Sequence, residues 1–233
     1  MILFLGDSFT WGQGLEWEWL INNENWSIED INKIIPPKHA CERLPIHLQD
    51  YREKNRWPRL VSEHFNHQYD LGRCGNGGGN LDAYLVLDNL ESFIYADNLD
   101  MVIFQTTNSH RNYEKGYNGD YSNLFSDEIM LLKSAINSCV KLNKNIKFLT
   151  LSWLPEVAQS IENEFGEKMV VKFNFENVNY NSFEPFLGKI SLGEKYQGLN
   201  DAHFNLEGNE FIAKSVIDHI EKYDLFQQNI RLI

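Results

Sequence analysis

"ILFLGDSFTWGQGL", residues 2–15, decides how the rest of the chain is read. Ile2 to Leu5 is an unbroken apolar run, the pattern of a parallel strand buried on both faces. Gly6 stops it, and Asp7 and Ser8 follow at once. In an open parallel sheet, ligands bind beyond the carboxyl ends of the strands, so a residue in this turn stands at that rim. Two readings of Ser8 follow. Ser8 or Asp7 caps the next helix, or Ser8 is a nucleophile beside a helix N-terminus that favours developing negative charge.

Working outward, residues 16 to about 57 show no steady period. They mix Trp, Asn, Glu and a Pro36-Pro37 pair, and read as an insertion of loops and short helices. Order resumes with a helix opened by Pro58, with Leu60, Val61, His64 and Phe65 as its face. Tyr69-Asp70-Leu71 reads as a second strand ending at Gly72. Residues 80–95 have helical spacing, and "MVIFQ" (101–105) is a third strand. Residues 121–142 carry a long amphipathic pattern through Leu124, Ile129, Leu132, Ile136 and Val140, and "IKFLTLS" (146–152) is a fourth strand. Residues 153–200 are less regular, with a helix near 155–165 and a strand within 169–175. A last helix follows Asn205, a good N-cap, with Ile212, Val216 and Ile220 as its stripe. Strands alternating with helices predict an α/β fold, a parallel sheet covered on both faces. The expectation is a single domain, 1–233, carrying the insertion.

The bulk numbers agree. The 233 residues are 42% hydrophobic and 23% charged, ordinary for a globular domain. The formal net charge of −12 repels phosphate backbones and argues against nucleic acid. Cys41, Cys74 and Cys139 are odd in number and far apart, with no metal-ligand spacing. No apolar stretch approaches membrane-spanning length, and Met1 leads straight into the first strand without a signal peptide. The expectation is a soluble protein with free thiols in a reducing cytoplasm.

A serine hydroxyl is a weak nucleophile until a base takes its proton. Of the seven histidines, His203 stands out, because "NDAHFN" puts it just before the last helix with Asp201 two residues earlier. That spacing lets Asp201 accept from Nδ1 and leaves Nε2 as base; the plainer alternative is an ordinary loop Asp and His. Oxyanion donors are available on two rim segments. "GRCGNGGGN" (72–80) follows strand two with glycines that let backbone N–H groups approach a ligand, and "TTNSHR" (106–111) follows strand three with the Asn108 amide. Either segment also suits a plain turn. Four such features fall where one rim site needs them.

These residues resemble the SGNH hydrolase superfamily, the GDSL esterases and lipases. Gly6-Asp7-Ser8-Phe9-Thr10-Trp11-Gly12 matches the family's first block, and Gly75 in "LGRCGNG" falls on the second-block glycine. Of the third block, usually Gly-x-Asn-Asp, only Asn108 survives. In the last block, usually Asp-x-x-His, His203 is preserved but Asn200 holds the usual acid position, so Asp201 is taken as the orienting acid in a shorter Asp-x-His. The resemblance implies a flavodoxin-like three-layer α/β/α fold. It implies Ser8, His203 and Asp201 as catalytic residues, with Ser8 N–H, Gly75 N–H and the Asn108 amide as the oxyanion hole. It also implies no metal and no organic cofactor.

The expected substrate is a short-acyl ester on a carbohydrate or similar polar alcohol, with Trp11, His110 and Arg111 as candidate substrate contacts. An O-acyltransferase would use the same residues, and a glycan-binding module without activity could retain the fold. Nucleotide binding by "GNGGG" is weaker, since the run lacks both dinucleotide and phosphate-loop spacing. Oligomeric state is not legible.

Overall fold

The computed structural model describes residues 1–34, 44–72, 98–107, 129–130, 133–134, 136–137 and 146–226. Strand β1 (Ile2–Leu5) lies between β2 (Tyr69–Leu71) and β3 (Met101–Gln105), and β3 pairs with β4 (Lys147–Leu151), every pairing parallel. Ile2 stands opposite Tyr69 on one side and Met101 on the other, and Met101 opposite Lys147. Helices α1 (Ser8–Trp11), α2 (Leu15–Glu24), α3 (Ile28–Ile34), α4 (Ile46–Asn55) and α5 (Trp57–His64) lie between β1 and β2. After β4 come α6 (Pro155–Phe165), the hairpin β5 (Phe173–Phe175) and β6 (Val178–Tyr180), α7 (Leu192–Lys195) and α8 (Leu206–Lys222).

Strand side chains alternate between faces, so both faces of β1 must be covered. Ile2 and Phe4, with Met101, Ile103, Leu149 and Leu151, pack against Val61 of α5 and Ile212, Val216 and Ile220 of α8. Leu3 and Leu5, with Val102, Phe104 and Phe148, pack against Val157, Ala158 and Ile161 of α6. The result is the expected parallel α/β arrangement, with helices on both faces. Among the described residues no helix is long and apolar enough to cross a membrane.

Several expectations shift in detail. The inward face of α5 is set by Trp57, Pro58, Val61 and Ser62, because Trp57 meets Phe4 edge-on with ring centroids 5.2 Å apart. His64 is turned outward to Glu221, at 2.9 Å. The strand expected within 169–175 is β5, which stands outside the four-stranded sheet. Val170 makes one parallel bridge to Thr150, and the chain then leaves the edge for the hairpin, turned by Glu176 and Asn177 at φ 50° and 66°. The pattern at 80–95 lies outside the described residues. Of 121–142, the described residues 129–130, 133–134 and 136–137 are helical, with Ile136 in the α6-side core.

The segment 16–57 carries α2, α3 and α4 where described, with non-helical residues at 25–27 and 44–45, and has a core of its own. Trp17, Leu20, Ile31 and Leu48 pack with Leu192 of α7 and with Leu199. Trp17 and Trp57 are fully buried, whereas Trp26 is 38% exposed.

Candidate active site at the carboxyl end of the sheet

The turn after β1 is held by close approach and by a buried carboxylate. A Cβ on Gly6 would stand 2.2 Å from Thr10 Oγ1 and 3.0 Å from the Gln105 Cβ, so only glycine lets α1 fold back against β3 here. Asp7 is the N-cap of α1 and accepts from the Phe9 N–H at 2.9 Å. It also accepts from Gln105 Nε2 at 2.9 Å and Thr107 Oγ1 at 2.8 Å. Gln105 Oε1 in turn accepts from Thr10 Oγ1 at 2.5 Å. The capping role thus falls to Asp7, and the Ser8 hydroxyl is used elsewhere.

That hydroxyl meets His203, 195 positions away in sequence, with Oγ 2.6 Å from Nε2. Nδ1 of the same ring lies 2.5 Å from Asp201 Oδ1, which also accepts the His203 backbone N–H at 2.8 Å. A carboxylate can only accept, so Nδ1 carries the proton and Nε2 presents its lone pair to the Ser8 O–H. The Phe9 ring lies 4.6 Å from the imidazole, centroid to centroid. Side-chain exposure is 2% for Asp201 and 14% for His203, and Ser8 is buried. Asp201 Oδ2 is buried and has no hydrogen-bond partner among the described residues. A carboxylate so thinly solvated gains most from a positive charge forming on the ring beside it.

The Asp201–Asn205 loop is fixed from the side of α7. The His203 carbonyl accepts from the Leu192 N–H at 2.9 Å, and the Asn205 N–H donates to Ile190 O at 3.0 Å. Ser191 and Phe204 form an antiparallel bridge. Asn205 caps α8 by accepting from the Gly208 N–H at 2.7 Å. Asn200 is exposed and turned to α3, its N–H donating to Asn32 Oδ1 at 2.9 Å.

Gly14 closes the site from behind. Its φ of 101° is left-handed, and a Cβ there would stand 2.3 Å from Leu192 Cδ1, 3.3 Å from the His203 Cβ and 3.6 Å from Asp201 Oδ2. The Gly14 N–H donates to Glu16 Oε2 at 3.0 Å, and Glu16 pairs with Arg52 inside the protein. Burial pushes the Glu16 carboxyl above its ordinary pKa, against the pull of Arg52.

Ser8, Asp201 and His203 are therefore brought together. Trp11 is partly buried, with the Arg52 and Arg56 guanidinium carbons 4.8 Å and 5.3 Å from its ring centroid. This is a cation–π arrangement that anchors α1 to α4. Gly75, Asn108, His110 and Arg111 lie outside the described residues. Sequence reading missed Gln105, Thr107, Gly14, Glu16 and the neighbouring Glu18. Gln105 closes an apolar strand and the two glutamates lie in an aperiodic segment, so nothing local marks them as buried. Among the described residues no group of three or more His, Cys, Asp or Glu is placed to hold a metal.

No protein-family model, curated protein or solved structure matches this chain.

Proposed function

We propose that this chain is a serine esterase of the SGNH type, cleaving short-acyl esters such as O-acetyl groups on a carbohydrate. The observation that carries the reading is the line Asp201–His203–Ser8, with its 2.5 Å and 2.6 Å contacts. It stands at the carboxyl end of β1 in a parallel sheet, the position such folds use for ligands. The sheet order β2-β1-β3-β4, with helices on both faces, supports a flavodoxin-like three-layer fold.

In this reading Ser8 Oγ attacks the ester carbonyl carbon as its proton passes to His203 Nε2. Asp201 holds the ring in the tautomer that can receive it and stabilises the imidazolium. The carbonyl oxygen, now negative, rests on the backbone N–H of Ser8, with Gly75 N–H and the Asn108 amide as further donors. Collapse breaks the bond to the leaving alkoxide, which takes the proton from His203. Water then gives a proton to Nε2 as it attacks the acyl-serine, and collapse breaks the acyl–Oγ bond, with Ser8 Oγ taking that proton back from His203 and the acid leaving.

The test is covalent labelling by a fluorophosphonate together with turnover of p-nitrophenyl acetate. Wild type should show both, and Ser8→Ala should lose both at an unchanged Tm. Labelling or full turnover in Ser8→Ala overturns the proposal.

A further inference from the structure

Helix α2 lies in a segment that the resemblance leaves unassigned, yet it carries two glutamates buried as deeply as any core leucine. Glu16 is 0% exposed and Glu18 is 1% exposed. A carboxylate taken out of water is costly unless its oxygens are hydrogen-bonded. An apolar side chain would fill the same space without that cost, so what each carboxylate holds is informative.

Glu18 holds three elements at one point. Its Oε2 accepts the Leu206 N–H at 2.7 Å, and its Oε1 accepts from Lys195 Nζ at 2.6 Å and from the Tyr196 hydroxyl at 3.3 Å. Lys195 also reaches Glu207 at 2.8 Å. Burial works against the charge of that ammonium, but its bonds to Glu18 and Glu207 prevail and raise its pKa well above the ordinary range. Leu206 is the first residue of α8, three positions after His203. The first N–H groups of a helix have no partner within it. Asn205 satisfies that of Gly208, and Glu18 satisfies that of Leu206 from another helix.

We propose that Glu18 is a positioning residue for His203, setting through the Leu206 N–H where α8 begins and hence where the imidazole stands against Ser8. The tolerance is small. Nε2 is 2.6 Å from Oγ, so a slip of about 1 Å at the start of α8 takes the pair out of hydrogen-bond range. The His203 carbonyl is already held by α7, and Glu18 ties α7 to α8 through Lys195. Glu16 does related work at Gly14, which borders His203 and Asp201 directly. The segment thus braces the histidine end of the site from outside it.

The kinetic part of this inference rests on the serine esterase reading, and the spectroscopic part does not. The experiment compares wild type with Glu18→Ala, Glu18→Gln and Leu206→Pro. Proline is tolerated at the first position of a helix, where it replaces the N–H that faces Glu18 by a ring carbon, and Asn205 at ψ −178° suits the residue before it. The first readout is the downfield proton resonance of the His203 Nδ1–H held by Asp201, assigned by its loss in His203→Gln. The second is the rate of fluorophosphonate labelling.

Wild type should show the resonance. Glu18→Ala and Leu206→Pro should lose it to solvent exchange and label about 10- to 100-fold more slowly. Glu18→Gln, whose amide oxygen still accepts from Leu206, should recover the resonance and most of the rate. A folded Leu206→Pro variant with the resonance and labelling rate of wild type overturns the inference, even if Glu18→Ala fails to fold. So does a wild-type spectrum without that resonance. A wild type that shows the resonance but never labels refutes the esterase reading alone, and the variants' spectra then decide the role of Glu18.

Discussion

Asp201→Asn isolates one quantity, the negative charge facing Nδ1 of His203. The substitution keeps the shape of the side chain, and an amide oxygen can replace Oδ1 as acceptor for both His203 donors, at 2.5 Å and 2.8 Å. The ring should stay in place, with the new NH2 where Oδ2 lay, a buried position without a hydrogen-bond partner among the described residues. The loss is then mainly electrostatic. With charge centres roughly 4 Å apart and an effective dielectric of about 20, the attraction to an imidazolium is about 4 kcal/mol. At about 1.4 kcal/mol per decade that is on the order of 10³ in kcat. It rises toward about 10⁴ if the amide turns its NH2 to the ring and selects the wrong tautomer. The assay is steady-state turnover of p-nitrophenyl acetate by Asp201→Asn beside Asn200→Ala, each checked by Tm. Asn200 is exposed and contributes its backbone N–H to Asn32, which alanine preserves, so its variant should lose tenfold or less, about 1.4 kcal/mol. A kcat for Asp201→Asn within about threefold of wild type means that Asp201 does not stabilise the imidazolium, and the reasoning fails.

Gly14→Ala should be costly in both stability and rate. The left-handed φ of 101° adds about 1–2 kcal/mol, and the overlap with Leu192 adds about 1–3 kcal/mol. Together they lower Tm by on the order of 10 °C, readable by calorimetry, and the shifted His203 loop should lower kcat more than it changes KM; an unchanged Tm refutes the packing argument. His219 supplies a pH test. Burial lowers its pKa below 6.5, and the charges of Lys222 and Lys172 add to this against its bond to Lys168 O. Below pH 6.5 the unfolded chain takes up a proton that the folded protein refuses, so this part of the stability is present above that value and is lost as pH falls through the folded pKa. His219→Gln removes the titration and retains a donor for Lys168 O, so its Tm should fall less steeply than wild type between about pH 7 and 5. Parallel curves contradict this.

The features legible in the sequence share a cause, which is that their physics is local. Ile2–Leu5 reads as a two-face buried strand because four successive apolar residues cannot all find cover on one side. Asn205 announces the start of α8 because a cap acts on N–H groups two or three residues away. Asp201 and His203 are close enough in sequence for one loop to join them, so that half of the site follows from spacing. The turn at Ser8 follows from an apolar run that ends in Gly-Asp-Ser.

What only the tertiary structure decided depends on partners far along the chain. Asp7 and not Ser8 caps α1, because Gln105 and Thr107, 98 and 100 positions away, hold the Asp7 carboxylate where it accepts from the Phe9 N–H. That the strand within 169–175 pairs in a hairpin outside the main sheet is set by Phe173 and Phe175, which are drawn into the main core. Glu16 and Glu18 look like part of a solvated helix in sequence, because charged residues on a short aperiodic helix normally face water. Their burial is set by Arg52, Lys195 and Leu206, residues 36, 177 and 188 positions away. A buried charge is tolerated only where its partners converge, and convergence across such separations exists only once the chain has folded.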